Sequence, residues 1–183
     1  MKRLVLLLVV VLAVCANAST GSASVLRRMS LAELVAAADE IVVAKVASVS
    51  SAWDASHRRI FSTIAIDVQD RWKGSGLDRM VVVQPGGTVG DIEMTVHGMP
   101  AFTPGERALL FLRGHDRLGV VGMALGKRPV HWDAEHAAWF IESPAADDVF
   151  EIGSKGELRP ALPEPRASLK SVRARVRALA GEP

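Results

Sequence analysis

The amino-acid sequence predicts a mainly β protein that folds as a sandwich or a small barrel. Segments rich in valine and isoleucine recur along the chain, and in several of them apolar and polar residues alternate. Turn signals rich in glycine, proline and aspartate separate these segments at short intervals. Many short strands with closely spaced turns favour a sandwich or a barrel over alternating β and α units.

Residues 1–18 have the pattern of a secretory signal peptide. Lys2 and Arg3 precede an apolar stretch at residues 4–14, and Ala16-Asn17-Ala18 matches a small-residue cleavage site. The apolar stretch is shorter than the roughly 20 residues of a membrane-spanning helix, and no later segment reaches that length without charges. The sequence therefore predicts a protein that is secreted or periplasmic after cleavage near Ala18.

Cys15 is the one cysteine of the chain and lies within the predicted signal peptide. A cysteine directly after an apolar stretch can also be the attachment site of a lipid anchor, but the bulky Val14 stands where such signals have a small residue. Cleavage near Ala18 is therefore favoured over a lipid anchor at Cys15. The mature chain would then hold no thiol, so its stability must come from an apolar core rather than from disulfides.

Charge is nearly balanced, with 22 Lys and Arg against 20 Asp and Glu and a net charge of +2. The positive excess lies in the signal peptide and in the C-terminal tail. The body of the chain thus lacks the concentrated basic face that neutralises phosphates, and we expect no nucleic-acid partner.

Residues 19–29 are expected to be flexible, and a short helix is predicted to begin after Ser30. Ser30 and Glu33 have the spacing of a capping box, in which each side chain bonds the backbone amide of the other residue. Leu31, Leu34 and Val35 follow at helical spacing. A short amphipathic helix therefore leads into the β region.

A long hairpin is predicted to follow this helix. IVVAKVASVSSAW at residues 41–53 is a valine-rich strand, DASHRR is a polar turn, and apolar residues alternate from Ile60 to Val68. Shorter strands are predicted at residues 79–84, 92–97, 107–113, 118–124, 128–132 and 138–141. Together these elements place a β domain at residues 30–159.

The stretch QPGGTVG at residues 84–90 is predicted to be a turn and not a phosphate-binding loop. A nucleotide-binding loop needs a lysine and a hydroxyl after its last glycine, whereas Asp91 follows Gly90 and would repel phosphate. Pro85 can end an edge strand, and Gly86 and Gly87 can adopt positive φ. The stretch therefore predicts a tight connection between two strands.

Residues 160–183 are predicted to form a proline-rich break followed by a basic amphipathic helix. PALPEP is stiff and extended, and Leu169, Val172, Val176 and Leu179 then share one stripe of a helix. Lysine and arginine residues occupy the remaining faces. This pattern favours a helix that packs on the β domain over one that lies on a membrane surface.

The densest group of candidate metal ligands lies in VHWDAEHAAWF at residues 130–140. His131, Asp133 and His136 could bind zinc, since two imidazoles and a carboxylate are a known ligand set. Their spacing, however, is not that of a helical zinc motif, and polar residues are expected in the loop between two paired strands. No spaced serine or cysteine nucleophile is found either. We therefore expect no catalytic residue, cofactor or metal, and retain a metal-dependent hydrolase that uses His131 and His136 as the alternative.

The segment of residues 31–125 resembles a group of exported bacterial proteins of unassigned function. The resemblance rests on AADEIVVAKV, on RWKG, on VVVQPGG and on PAFTPGERALLFL. The layout of that group is similar to the OB-fold barrels of tissue inhibitors of metalloproteinases and netrin-like modules. It implies a mainly β fold, an OB-like closed or partly closed β-barrel with a short N-terminal helix and a C-terminal helix. The inhibitors chelate a protease's zinc through an N-terminal cysteine, and no cysteine opens the mature chain here.

These observations predict an exported, non-catalytic binding module. A barrel of this size usually fills its interior with side chains, which favours a protein partner over a small ligand. The expected partner is an exported protein, such as a protease that the module would bind or inhibit.

Overall fold

The structure, a computed structural model, describes residues 26–115, 117–142, 149–152, 157–161 and 164–181. The predicted signal peptide, its cleavage site near Ala18 and Cys15 lie outside these residues. Two α-helices are described, the N-terminal helix Leu31–Ala37 and the C-terminal helix Leu169–Ala180, and a 3-10 helix spans Met123–Gly126. Strands make up most of the regular structure, so the protein is mainly β, as predicted.

The strands form one main sheet and two small ones. They are β1 Leu26–Arg27, β2 Glu40–Trp53, β3 Ile60–Lys73, β4 Arg79–Pro85, β5 Gly87–Val89, β6 Ile92–Met94, β7 Arg107–Arg113, β8 Gly119–Val120, β9 Lys127–Asp133, β10 Ala138–Ile141, β11 Val149–Ile152, β12 Leu158–Pro160 and β13 Ala167–Ser168. The main sheet has the order β13-β10-β9-β7-β2-β3-β4, is antiparallel along this path, and also pairs β8 with β7. The small sheets are β1-β11-β12 and β5-β6.

The N-terminal helix begins with the predicted capping box. Ser30 Oγ accepts a hydrogen bond from the Glu33 amide at 3.2 Å, and Glu33 Oε2 accepts one from the Ser30 amide at 2.7 Å. The backbone hydrogen bond from Ser30 and the hydrogen bond from Arg27 lower the pKa of Glu33 to about 2. Arg27 itself belongs to β1, which pairs with β11, so part of the segment expected to be flexible is a strand.

The first part of strand β2, residues 40–44, is buried on both of its faces. Ile41 and Val43 pack into a cluster that contains residues of both helices. Val42 and Ala44 point to the opposite side, into a second cluster built from β2, β3, β4, β7 and Leu118. Because neighbouring residues of a strand point to opposite faces, burial on both sides explains the unbroken apolar run IVVA.

The second cluster forces the main sheet to curve around it. Its buried members come from four strands and from Leu118, and none belongs to a helix. Val83 N–H donates to the Leu118 carbonyl at 2.8 Å, and Val82 pairs with Leu118 in an isolated parallel bridge. Within the described residues no sheet closes on itself. The mainly β fold is therefore confirmed, and the predicted OB-like barrel is not.

Glu40 clamps the start of β2 to the turn that follows β3. The residue is 9% exposed, and its carboxylate pairs with Arg71 of β3. Glu40 Oε1 also accepts hydrogen bonds from the amides of Ser75 and Gly76, at 2.9 and 2.8 Å. A buried carboxylate with three donors is stable, whereas removal of the carboxylate would leave those donors unsatisfied.

The QPGGTVG stretch is a connection between strands, as predicted. Gly86 and Gly87 have φ values of 103° and 131°, and they join β4 to the β5–β6 hairpin. Ser62 Oγ donates to the Gly86 carbonyl at 2.8 Å and contacts Ser51 Oγ at 3.0 Å. A Cβ at Gly87 would lie only 2.9 Å from Ser51 Cβ. Glycine is required here by both backbone conformation and space.

Two predicted strands are shorter than expected. The segment 118–124 is a strand only at Gly119–Val120, because Gly122 adopts a left-handed conformation with φ 64° and starts the 3-10 helix. The segment 92–97 is a strand only at Ile92–Met94. The last residues of this segment belong to a turn, in which Met99 N–H donates to the Val96 carbonyl at 3.2 Å.

The C-terminal helix lies where its apolar stripe predicts. Val172 and Val176 are buried in the cluster that also holds Leu34 and Val35 of the N-terminal helix. The stripe reaches solvent at its end, because Leu179 is 48% exposed. Strand β13, just before this helix, pairs with β10, so the C-terminal segment is continuous with the main sheet.

We expect Glu40→Ala to lower the free energy of unfolding by roughly 3 kcal/mol, because it leaves the Arg71 side chain and two backbone amides of the turn without their acceptor. The matched control is Asp67→Ala, which removes a carboxylate from the exposed Arg79–Asp67 pair of the adjacent strands. This control should cost less than about 1 kcal/mol. Equal losses for the two variants in urea denaturation would contradict the clamp.

Gly87→Ala should destabilise the protein by about 2 kcal/mol or more, since the new Cβ meets Ser51 in an unfavourable backbone conformation. Gly90→Ala is the control, because Gly90 has φ 59° and nothing within 4 Å of an added Cβ. It should cost about 1 kcal/mol. Thermal unfolding of both variants measures the difference, and a Gly87 variant as stable as the Gly90 variant would show that the space is not restricted.

Candidate functional site

The residues proposed from sequence as metal ligands lie on the β9–β10 hairpin. Strand β9 pairs with β10 from Asp133↔Ala138 to Val130↔Ile141, so the strand pairing that was predicted for this region is confirmed. Residues 134–137 form the turn between them. The predicted site therefore consists of two residues of β9, His131 and Asp133, and of His136 in the turn.

Asp133 organises this turn. Its Oδ1 accepts hydrogen bonds from the amides of Glu135 and His136, at 2.9 and 3.1 Å. Its Oδ2 lies 3.1 Å from His136 Nδ1 and 2.7 Å from Arg166 Nη1. The backbone hydrogen bond from His136, with further hydrogen bonds from the His136 and Arg166 side chains, lowers the pKa of Asp133 to about 2.

The structure brings together two of the three proposed ligands. The possible ligand atoms of Asp133, Glu135 and His136 lie within 4.8 Å of one another. His131 is not a member of this group, and its Nε2 faces Glu142 at 3.7 Å. Both Asp133 oxygens are already engaged by the turn and by Arg166. The geometry that the described residues show is that of a stabilised turn.

A second feature of the hairpin is an aromatic surface that the sequence did not single out. Trp132 of β9 and Trp139 of β10 are directly opposite each other, with ring centroids 5.3 Å apart in an edge-to-face arrangement. The Arg107 guanidinium carbon lies 3.9 Å from the Trp139 ring centroid. We call Trp132, Trp139 and Arg107 the tryptophan surface. Edge-to-face and cation–π contacts both hold these rings in fixed orientations.

The tryptophan surface is accessible from solvent. Trp132 is 52% exposed, in contrast to Trp72, which is 1% exposed in the core. A shallow cavity of about 460 Å³ adjoins the two tryptophans and is also lined by Lys45 and Glu106. Glu106 pairs with Lys127 at 2.8 Å, so Lys45 and Arg107 leave the rim of this cavity with an excess of positive charge.

Trp132 and Trp72 lie in opposite environments. Trp72 is an anchor of the core, and its Nε1 donates to Asp70 at 2.9 Å. Trp132 follows the buried Val130 by two residues and so lies on the same face of β9. Sequence alternation alone predicts burial for Trp132, and the exposure arises because the hairpin extends beyond its neighbours.

Comparisons of the chain with protein-family models, with curated proteins and with solved structures find no match. Among the described residues, neither helix has the length and apolar character that a membrane crossing requires.

Asp133→Asn is expected to reduce stability in a pH-dependent way. The depressed pKa of Asp133 means that its charge stabilises the fold fully above the ordinary value of 3.8 and that this contribution is lost as pH falls through about 2. The difference in unfolding free energy between wild type and variant should therefore be constant near neutral pH and shrink below 3.8. Urea denaturation at several pH values measures it.

The control for this experiment is Glu135→Gln, which removes the same charge from a neighbouring exposed side chain of the turn. Its loss of stability at neutral pH should be smaller than that of Asp133→Asn, because the Glu135 side chain is exposed. A constant difference for Asp133→Asn, or an equal loss of stability for both variants, would contradict the role assigned to Asp133.

Proposed function

We propose that the mature chain is an exported, non-catalytic binding module that recognises a protein partner through the tryptophan surface. The observation that carries this proposal is the half-exposed Trp132, held edge-to-face against Trp139 beneath the Arg107 side chain. Tryptophan and arginine are the residues most enriched at energetic hot spots of protein interfaces. A large apolar ring that is fixed in solvent has little conformational entropy left to lose on binding.

The surroundings of the surface indicate the chemistry of the partner. Lys45 and Arg107 line the adjoining cavity, while the carboxylate of Glu106 is neutralised by Lys127. A partner that places an apolar side chain on the tryptophans and an acidic residue beside it would match both the shape and the charge. We therefore propose an exported protein with an acidic, partly apolar contact patch.

Export and the finer fold assignment are part of the same proposal. The N-terminal sequence supports export, with cleavage near Ala18. An OB-like, partly closed barrel is supported by the curved cluster of β2, β3, β4 and β7 and by the single bridge between Val82 and Leu118. The resemblance to inhibitors of metalloproteinases makes an exported protease the first partner to test, by a mechanism that does not use an N-terminal cysteine.

The test places a photo-crosslinking phenylalanine derivative at position 132, in contact with the exported proteins of the organism that encodes the chain. Leu77, which is 78% exposed at a distant turn, is the matched control position. A specific adduct is expected at position 132 and not at position 77. The purified partner is then titrated against wild type, Trp132→Ala and Leu77→Ala.

Trp132→Ala should weaken binding by about thirtyfold, the effect of a hot spot worth roughly 2 kcal/mol. Leu77→Ala should change the affinity by less than about twofold, the range of a residue outside the interface. Equal adducts at both positions, or equal affinities of the two variants, would refute the tryptophan surface as the binding site. Circular dichroism of each variant confirms that the fold is retained.

A further inference from the structure

A cavity of about 450 Å³ lies between strands β2, β3 and β4 and the segment that connects β6 to β7. Ile64, a member of the second cluster, and Val49, which packs against that cluster, both line the cavity. The cavity therefore lies on the face of the main sheet that this cluster covers. Thr88 and Met94 of the β5–β6 hairpin form a further part of the lining. The volume is within the range of sites for small molecules.

The lining of this cavity carries no charged side chain among the residues that the structure describes. Charged residues make up 23% of the chain, so their absence sets the cavity apart from the rest of the surface. The cavity beside the tryptophan surface, in contrast, is lined by Lys45, Glu106 and Arg107. A charged ligand would lose hydration here without gaining a counterion, so the lining favours a neutral ligand.

Two serines of the lining form a chain of hydrogen bonds with a fixed direction. Ser62 Oγ donates its proton to the Gly86 carbonyl at 2.8 Å. The 3.0 Å hydrogen bond between the two hydroxyls therefore uses the proton of Ser51, which donates to Ser62 Oγ. Ser51 is partly exposed, and with its proton committed it can only accept a hydrogen bond from a ligand.

Gln84 adds a second acceptor to the same lining. Its Nε2 donates to the Pro100 carbonyl at 2.8 Å, and this fixes the orientation of the amide because a carbonyl can only accept. Gln84 is 8% exposed, and its Oε1 accepts no hydrogen bond from the described residues. An unfilled acceptor places negative partial charge beside the cavity, which favours a ligand that donates a hydrogen bond.

The apolar part of the lining still has surface to bury. Val49, Met94, Met99 and Phe102 are each partly exposed, whereas Ile64 is fully buried in the core. Covering the partly exposed side chains would remove apolar surface from water. Thioether sulfurs make favourable contacts with aromatic rings, so two methionines and a phenylalanine favour an aromatic ligand.

We propose that this cavity binds a neutral aromatic compound that carries a hydroxyl group. The ring covers the methionines and Phe102, and the hydroxyl donates a hydrogen bond to Ser51 Oγ, the more accessible of the two acceptors. This inference does not depend on the proposed function, because no residue of the tryptophan surface lines the cavity. Failure of one test therefore leaves the other unaffected.

The experiment titrates the purified protein with phenol and follows the NMR signals of isotope-labelled methionine methyl groups. The signals of Met94 and Met99 should shift saturably, because a nearby aromatic ring changes their magnetic environment. Met29 and Met80 do not line the cavity, and their signals should not follow the titration. The methyl groups thus report both the affinity for phenol and the place where it binds.

Two further probes separate the contribution of the hydroxyl from those of the ring and of charge. Anisole keeps the ring but has a methyl ether in place of the donor, and benzoate keeps the ring but carries a negative charge. Each should bind at least about threefold more weakly than phenol, the effect of one neutral hydrogen bond or of an unpaired charge. Anisole is more apolar than phenol, so tighter binding of phenol requires the hydrogen bond.

Ser51→Ala is the informative variant, because it removes the proposed acceptor with the loss of a single oxygen atom. Ser62, which is 5% exposed, is too buried to replace it. Ser48→Ala is the matched control, with the same change on the same strand at an exposed residue that does not line the cavity. Ser51→Ala should weaken phenol binding at least about threefold and remove the preference over anisole, and Ser48→Ala should change the affinity less than about twofold.

Four outcomes would overturn the proposal. The first is the absence of a saturable shift at Met94 and Met99, and the second is an equal shift at Met29 and Met80, which would indicate unspecific binding. The third is equal affinity for phenol and anisole, which would indicate an apolar cavity in which the acceptors have no role. The fourth is an equal loss of affinity in the Ser51 and Ser48 variants.

Discussion

The first part of β2, residues 40–44, is buried on both faces and paired along both edges, and this is the constraint on which the rest of the molecule depends. The strand pairs with β3 on one edge and with β7 on the other. Ile41 and Val43 require a cover on one side, which the two helices provide, and Val42 and Ala44 require one on the other, which the curved sheet provides together with Leu118. Register shifts between Ile41 and Ser48 give the strand the twist that this curvature needs. Glu40 fixes the point at which the strand enters both clusters.

The same arrangement explains why the tryptophan surface is exposed. Strand β9 pairs with β7 only through residues 127–129, and β7 begins at Arg107. The end of β9 therefore extends past the start of β7, with β10 as its neighbour, so Trp132 has no strand of the main sheet beside it on that edge. The helices cover Val130 and Ile141 but not the tryptophans, of which Trp139 only borders the cluster. Trp132 is thus exposed because the register between β9 and β7 carries the end of β9 past the start of β7, and not because of the residues next to Trp132 in the sequence.

The structural features that the sequence predicts correctly are those determined by residues close together in the chain. The capping box, the β2–β3 hairpin, the glycine connection at residues 86–87 and the C-terminal helix each depend on residues close together in the chain, and all were predicted. The strand at 118–124 was too long because an isolated glycine, Gly122, does not reveal its left-handed conformation in the sequence. A cleft beside the N-terminal helix could not be predicted, since the arginines that line it come from four segments that only tertiary packing brings together: Arg27, Arg28, Arg128, Arg166 and Arg175.

The β9–β10 hairpin carries different contacts on its two faces. Trp132 and Trp139 lie on one face, whereas Phe140, opposite His131, lies on the other, where its ring contacts the Arg166 guanidinium. Asp133 supports the turn and also pairs with Arg166. A substitution at Asp133 would therefore change both the turn and the position of Arg166, whereas Trp132 takes part in neither arrangement and can be changed to test the tryptophan surface alone.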